Sequence, residues 1–169
     1  MNTWTGKQFW PIDPRPEDID IEDIAHALSM TCRYGGHVSS FYSVSEHSYI
    51  VSHHVPKEYA LWGLLHDASE AYLSDIVRPA KPYIAGYKEA EVRLMAVICE
   101  RFGLDPVEPA EVKWADGAIL ADEMRKLIRK PAGEWNLPVP QGLGAWINCW
   151  TPTTAKAAFL RRFRELTED

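Results

Sequence analysis

Apolar residues recur at helical spacing along most of the chain. The first such stripe contains Ile21, Ile24, Ala25, Leu28 and Cys32, and Gly35-Gly36 ends it. Further helices are predicted after Ser43, over 60–70, from about Tyr87 to Phe102, after Pro109 and after Thr151-Pro152. The pattern therefore predicts an all-α fold.

The two ends of this helical region have a different pattern. Residues 1–19 are rich in proline and predict an extended N-terminal arm, whose Trp4, Phe9 and Trp10 need a surface to pack on. Residues 131–150 predict a long loop, which in a compact domain often serves as a lid or an oligomer contact. Since no repeat or linker divides the chain, we expect one domain over 1–169. We also expect this domain to form a homo-oligomer.

Composition narrows the class of protein. The 169 residues are 46% apolar, which is enough for a substantial core. A formal net charge of -6 argues against a nucleic-acid polymer as substrate, because proteins that bind such polymers present a large basic surface. Three cysteines without a Cys-x-x-Cys pair argue against disulfides and a zinc ribbon. The sequence contains no run of about 18 apolar residues, so it does not predict a membrane span. We expect a cytoplasmic enzyme of a bacterial or phage-infected cell, with a small phosphorylated substrate.

A histidine and a carboxylate stand side by side in an apolar helical run. His66 and Asp67 lie within residues 60–70, and consecutive helical residues are about 100° apart, so the two can share one face with Glu70. Burying the carboxylate requires a cation, a hydrogen-bond partner or a cleft. A half-buried histidine paired with a carboxylate is the ordinary alternative, and a bound metal would satisfy both residues.

A second helix brings another histidine to the same region. Ser43 and Glu46 form a capping-box pattern, which places His47 in the first turns of a helix on its core-facing side. Pro56 ends this helix, and a short turn makes it an antiparallel neighbour of the next one. His47 can therefore approach His66.

The helix that begins after Pro109 supplies a further carboxylate. Asp116 lies beside Ala115 and three residues before Ile119, two positions of the buried stripe, whereas Asp122 points elsewhere. A lone carboxylate at this position is more often a surface group or a partner of the helix dipole. Asp116 is nevertheless the candidate for a fourth metal ligand.

The ligand-type residues thus come in the order His47, His66-Asp67 and Asp116. This order on separate helices resembles the signature of the HD-domain metal-dependent phosphohydrolases. Other parts of the same pattern are Val44–Ser48, His66–Glu70, Asp75, Lys81 and, upstream, Arg33-Tyr34. With these, residues 20–130 are similar to the bacterial 5'-deoxynucleotidase branch and to small phage deoxyadenosine triphosphohydrolases.

The resemblance implies a helical HD-domain bundle around one divalent ion, with His47, His66, Asp67 and Asp116 as ligands. It also implies catalytic roles for Asp67 and for Glu70, which assists the attacking water. Expected substrate contacts are Arg33 to a phosphate, Tyr34 beside the sugar, Asp75 as an orienting group, Lys81 as a cation and, from its place after the glycines, His37. Tyr34 stands where the family has tryptophan, and one residue fewer separates Arg33 from His47.

Imidazole and carboxylate ligands suit cobalt, zinc, manganese or iron, and magnesium would join as a further ion for a triphosphate. The expected reaction cleaves the bond between the sugar 5'-oxygen and the first phosphorus of a 2'-deoxynucleotide, of the dATP type in preference, and releases the deoxynucleoside with phosphate or triphosphate. The alternatives are a phosphodiesterase or alarmone hydrolase of the same superfamily, and a nucleotide-sensing module without turnover. Glu70 and Arg33 favour the enzyme, since a binding module needs no positioned proton carrier.

Overall fold

Helices provide the regular structure of the protein. The computed structural model describes residues 1–129, 133 and 136–168, and among these residues β pairing is limited to two isolated bridges. The helices are α1 (Ile21–Met30), α2 (Val44–His53), α3 (Ala60–Leu65), α4 (Glu70–Leu73), α5 (Tyr87–Phe102), α6 (Ala110–Leu127) and α7 (Pro152–Thr167). The predicted all-α class is confirmed. None of the described helices combines the length and apolar character that a membrane span requires.

Side-chain caps fix where several helices begin. The Ser43 hydroxyl accepts the Glu46 backbone N–H at the start of α2, and Thr151 accepts the Thr154 N–H at the start of α7. The Glu46 side chain does not complete the predicted capping box, because its buried carboxylate accepts backbone N–H groups of residues 148–150 instead. Glu46 therefore ties the segment before α7 to the first turn of α2.

Two apolar clusters form the core. One joins α1, α4, α5 and α7, with Leu28 and Phe159 fully buried, and the other joins α2, α3 and α6. Helix α2 packs on α3, as the short connection predicts, so the histidines that these segments carry come together. The candidate ligands lie between α2, the chain that follows α3, and α6.

The N-terminal arm is not extended along its whole length. It turns back at Gly6, whose φ is 83°, and the Phe9 N–H donates to the Met1 carbonyl. Phe9 is fully buried and stacks on Tyr72 with ring centroids 4.1 Å apart. The other two aromatics of the arm pack less: Trp4 stacks on His26 but is 62% exposed, and Trp10 is 52% exposed.

Helix α1 ends earlier than its apolar stripe predicts. It stops at Met30, and the chain then pairs with the residues before α2, because the Arg33 N–H donates to the Tyr42 carbonyl and Cys32 forms a bridge with Ser43. Arg33 begins a separate 3₁₀ turn, Arg33–Gly36. Arg33 therefore lies outside helix α1, in a turn of its own.

The run that carries His66 and Asp67 is not one continuous helix either. Helix α3 ends at Leu65 and α4 begins at Glu70, and the four residues between them are wound more tightly. The Glu70 N–H donates to the Asp67 carbonyl three residues back, as in a 3₁₀ helix. Because of this tighter winding, Glu70 does not share with the candidate ligands His66 and Asp67 the regular helical face that the sequence predicts for a continuous helix.

The predicted 131–150 loop is described at residue 133 and over 136–150, while Pro131 lies outside the described residues. The loop is irregular and is anchored on α6, where Asp122 accepts the Leu143 N–H at 2.7 Å. Arg125 also donates to Asp122 and to loop carbonyls. Asp122 thus points away from the candidate ligands, as predicted.

Candidate metal centre and adjoining cleft

Two histidines from different segments face each other at the centre of the molecule. The Nε2 atoms of His47 on α2 and His66 after α3 are 3.2 Å apart. His47 is fully buried, and the side chain of His66 is 4% exposed. The burial of both imidazoles confirms that these residues lie inward, as their positions in the sequence predict.

Two carboxylates approach the same point. Asp67 places Oδ2 3.3 Å from Nε2 of His66 and 3.6 Å from Nε2 of His47. Asp116 of α6 places Oδ1 3.3 Å from Nε2 of His47 and 3.9 Å from Nε2 of His66. Ligands bound about 2.1 Å from one metal at right angles lie about 3 Å apart, so these spacings are close to those of a coordination shell.

Each ring is held by its other nitrogen. Nδ1 of His47 lies 2.7 Å from Oε1 of Glu123, and Nδ1 of His66 lies 2.8 Å from the Gly63 carbonyl. Carboxylate and carbonyl oxygens accept hydrogen bonds, so each Nδ1 carries the donated proton. Both imidazoles are thereby oriented with Nε2 toward Asp67 and Asp116, which is the second-sphere arrangement of metal-binding histidines.

The donor set fits a divalent cation. Two Nε2 atoms 3.2 Å apart cannot both donate to each other, so at least one lone pair points into the cluster. A cation at this point would accept electron pairs from both rings and balance the two carboxylates. His47, His66 and Asp67 could hold a metal ion, since they offer ligand atoms within 4.8 Å of one another.

The charges of the cluster are strongly coupled. Burial lowers the pKa of His66, but the Asp67 carboxylate outweighs it and raises the pKa to about 10. Burial raises the pKa of Asp116, but hydrogen bonding to His47 and the charge of His66 lower it to about 2. The Asp67 carboxyl also has a lowered pKa, because the nearby positive charges outweigh its burial. Both aspartates therefore keep the negative charge that a cation requires.

A buried carboxylate, Glu123, connects the histidine and aspartate cluster to Arg33 and Tyr34. It is fully buried and accepts hydrogen bonds from His47, from Nη2 of Arg33 at 3.2 Å and from the Tyr34 hydroxyl. Burial raises the pKa of Glu123, but Arg33 and His47 outweigh it and lower the pKa to about 2. Arg33 also reaches Asp67, with Nη1 3.5 Å from Oδ2. Arg33 is thus fixed beside the candidate metal ligands.

Tyr34 occupies a strained backbone position. Its φ of 58° and ψ of 25° lie in the left-handed region, where a bulky residue costs roughly 1–2 kcal/mol. Glycine or asparagine would relieve this strain. The side chain lines the cleft described below and is anchored on Glu123. Such strain is typical of functional sites and supports a role for the Tyr34 ring.

A second group of charges surrounds Glu70. This carboxyl is 6% exposed, with Oε1 3.5 Å from Nζ of Lys81, and Lys81 lies 2.9 Å from Glu91. Glu91 is therefore an ion-pair partner of Lys81. Burial, together with repulsion from Asp67 and Asp75, raises the pKa of Glu70 to about 9. Glu70 thus holds a proton at neutral pH.

A cleft of about 510 Å³ opens beside this cluster. It lies in the size range of small-molecule sites and combines ionisable groups with an apolar wall. The residues that line it are Arg33, Tyr34, Glu70, Asp75, Ile76, Val77, Arg78, Pro79, Lys81, Asp116, Leu120, Asn136, Leu137 and Pro138. Of the five predicted substrate contacts, Arg33, Tyr34, Asp75 and Lys81 line this cleft. His37 is exposed after the 3₁₀ turn and is not among the lining residues.

Glu123 is not among the site residues that the sequence predicts. One signal was present, because Glu123 follows Asp116 by seven residues and so lies two helical turns away on the same face of α6. Its contacts cross long stretches of chain, with His47 76 residues and Arg33 90 residues away along the sequence. Such pairings are not visible in local periodicity.

Replacing Glu123 with alanine should destabilise both the fold and the candidate metal centre. Arg33 would keep only the longer pairing with Asp67, and removing one partner of a buried charge pair costs about 3–5 kcal/mol. Loss of the acceptor for His47 should also weaken metal binding about ten- to 100-fold. Urea unfolding and metal titration measure the two effects. Asp122→Ala is the control on the same helix, and equal metal affinity in Glu123→Ala and wild type would contradict the proposed support of His47.

Comparison with known proteins shows the family of the chain. It is 41% identical over 172 residues to the uncharacterized protein YfdR of Escherichia coli K12, and the alignment covers 99% of this chain and 96% of YfdR. An uncharacterized protein of Rhodobacter capsulatus is 40% identical over 121 residues, which cover 66% of this chain and 62% of that protein. No family model matches the chain. The protein is thus a helical protein with a histidine and aspartate cluster suited to a metal ion, and it belongs to the YfdR family.

Proposed function

We propose that this protein is an HD-domain metal-dependent phosphohydrolase that cleaves the 5'-phosphoester bond of 2'-deoxynucleotides. The observation that carries the proposal is the paired approach of the His47 and His66 Nε2 atoms, 3.2 Å apart and next to two carboxylates. Their order along the chain is that of the HD signature. A cleft of about 510 Å³ adjoins the pair and offers room for a small phosphorylated substrate.

His47, His66, Asp67 and Asp116 would hold one divalent ion, with cobalt, zinc, manganese and iron as the best matches to this mixed donor set. When bound, such an ion supplies a Lewis acid for the phosphoryl oxygen and makes water easier to deprotonate. The protein contributes the orientation of these side chains, because Glu123 and the Gly63 carbonyl fix the two rings.

Arg33 and Glu70 supply the remaining groups that the hydrolysis needs. The guanidinium of Arg33 lines the cleft next to Asp67, where it can contact nonbridging oxygens of the phosphorus under attack. Glu70 lines the same cleft and can carry a proton between the attacking water and the departing sugar oxygen. Burial, together with repulsion from Asp67 and Asp75, raises the pKa of Glu70, so this group holds a proton that it can give to the departing oxygen.

The direct test uses purified protein with the common deoxy- and ribonucleoside mono- and triphosphates, each with cobalt, manganese, zinc or magnesium. We expect deoxynucleoside as the product, together with phosphate or triphosphate, and loss of turnover after chelation. Binding of nucleotides without any turnover would favour the nucleotide-sensing module. Cleavage of a phosphodiester or an alarmone in place of deoxynucleotides would favour those branches of the superfamily.

Tyr34 should contribute to selection for deoxyribose. If its ring packs against the sugar, a 2'-hydroxyl would be buried without a partner, at roughly 1–3 kcal/mol or about five- to 150-fold in kcat/KM. The ratio of kcat/KM for a matched deoxy and ribo pair should therefore fall toward one in Tyr34→Ala. Tyr34→Phe is the matched control, because it keeps the ring and removes only the hydroxyl bound to Glu123. An unchanged ratio in Tyr34→Ala would place sugar selection elsewhere.

A further inference from the structure

Three cations line the cleft, and they differ in how far their charge is already compensated. Arg33 is shared by Glu123 at 3.2 Å and Asp67 at 3.5 Å. Lys81 is shared by Glu91 at 2.9 Å and Glu70 at 3.5 Å. Each of these cations therefore has a carboxylate partner within 3.2 Å before any substrate binds.

Arg78 differs from both. Its side chain is 74% exposed, and within the described part of the chain its only carboxylate neighbour within 4 Å is Asp116, with Nη2 3.9 Å from Oδ2. That distance is beyond a hydrogen bond, so the donors of this guanidinium remain available. A guanidinium with available donors can bind a phosphate group in a bidentate manner.

Arg78 and Arg33 lie at different distances from the candidate metal ligands, so they can contact different phosphates of one substrate. Oδ1 of Asp116 faces the two histidines, whereas Oδ2 of the same carboxylate is the atom near Arg78. Arg78 therefore lies one carboxylate away from the candidate metal centre, at the exposed mouth of the cleft, while Arg33 lies in its buried part. If the first phosphorus of a substrate lies next to Arg33 and the candidate metal ligands, Arg78 is placed to contact the phosphates that follow it.

The balance of charge supports the same assignment. The lining contains three cations, and two of them, Arg33 and Lys81, are already paired with carboxylates. A triphosphate carries more negative charge than a monophosphate and needs a cation that is not already compensated. Arg78 is the lining residue that meets this requirement.

We propose that Arg78 binds the phosphates beyond the first and thereby makes the protein select nucleoside triphosphates over monophosphates. This assignment rests on the proposed function, because it takes the first phosphorus to lie at the ligand cluster. It gives the exposed mouth of the cleft the role of recognising the phosphate tail, and it leaves cleavage to the buried groups.

Binding of inorganic tripolyphosphate and of inorganic phosphate tests the assignment without turnover. In calorimetry, wild type should bind tripolyphosphate more tightly than phosphate, and Arg78→Ala should lose about ten- to 100-fold in affinity for tripolyphosphate, the usual effect of a charge-assisted contact. Arg78→Lys should fall between the two, since it keeps the charge and loses the bidentate geometry. Lys113→Ala, an exposed cation of α6 outside the cleft lining, is the control for a general field effect.

Kinetics with dATP and dAMP complete the test. The ratio of kcat/KM for dATP to that for dAMP should fall at least tenfold in Arg78→Ala, mainly through KM for dATP, and should stay within threefold of wild type in Lys113→Ala. Equal losses for both substrates and both inorganic probes, or no loss at all, would overturn the role of Arg78. Absence of hydrolysis of either nucleotide by wild type would instead overturn the proposed function, and the tripolyphosphate comparison would still report on Arg78.

Discussion

Replacing Asp67 with alanine is expected to remove bound metal and hydrolytic activity together. Oδ2 of Asp67 lies 3.3 Å and 3.6 Å from the two imidazole Nε2 atoms, so it contributes a ligand and a negative charge to the same point. Without it, His47 and His66 keep only Asp116 as a charged partner in the cluster. Elemental analysis should find little metal in the variant, and deoxynucleotide hydrolysis should fall to background.

Thermal unfolding measures metal binding independently of turnover. A metal that binds the folded state raises the melting temperature, so wild type should be stabilised by cobalt or zinc and Asp67→Ala should not. The matched control is Asp23→Ala, another buried carboxylate, which accepts hydrogen bonds from Thr5 in the N-terminal arm. A metallated and active Asp67→Ala protein would contradict the site assignment.

That the candidate ligands lie close together could be predicted, because each lies in a short segment with its own recognisable sequence pattern. His47 follows a capped helix start, and His66 with Asp67 lies in an apolar run that must be buried. The short connection between α2 and α3 then favours packing of the two helices against each other. Burial, helical periodicity and connection length were therefore enough to bring these side chains together.

The arrangement of the residues that line the cleft could not be derived from helical periodicity. The apolar stripe of the first helix suggested that it continued to Cys32, but hydrogen bonding of Arg33 to Tyr42 ends the helical path at Met30. That pairing depends on residues before α2, so it is a tertiary effect. It also turns Arg33 inward to Glu123, a contact that no local pattern announces.

These contacts join a candidate metal ligand and two residues of the cleft lining in one buried network. Glu123 accepts hydrogen bonds from His47, a candidate ligand, and from Arg33 and Tyr34, which line the cleft. A change at any of these residues alters the partners of the others, so their effects on activity should not be additive. The position of the Arg33 guanidinium is therefore coupled to the orientation of the His47 imidazole at the candidate metal centre.

Glu70→Gln is expected to retain metal and substrate binding and to lose turnover. Glutamine keeps the size of the side chain but cannot carry the proton that the departing sugar oxygen needs, and a positioned acid or base contributes about 10² to 10⁴-fold. The raised pKa of Glu70, due to burial and to repulsion from Asp67 and Asp75, is consistent with a group that holds a proton for the departing sugar oxygen. Single-turnover kinetics should show the loss in the chemical step, with little change in KM.

Glu91→Gln is the matched control for this change. Glu91 is the other carboxylate partner of Lys81, at 2.9 Å, but it does not line the cleft. If Glu70 acted only by holding Lys81, the two substitutions should slow turnover to a similar extent. We expect a loss of at least 100-fold in Glu70→Gln and less than tenfold in Glu91→Gln. Activity of Glu70→Gln within a few-fold of wild type would show that the proton is carried by another group.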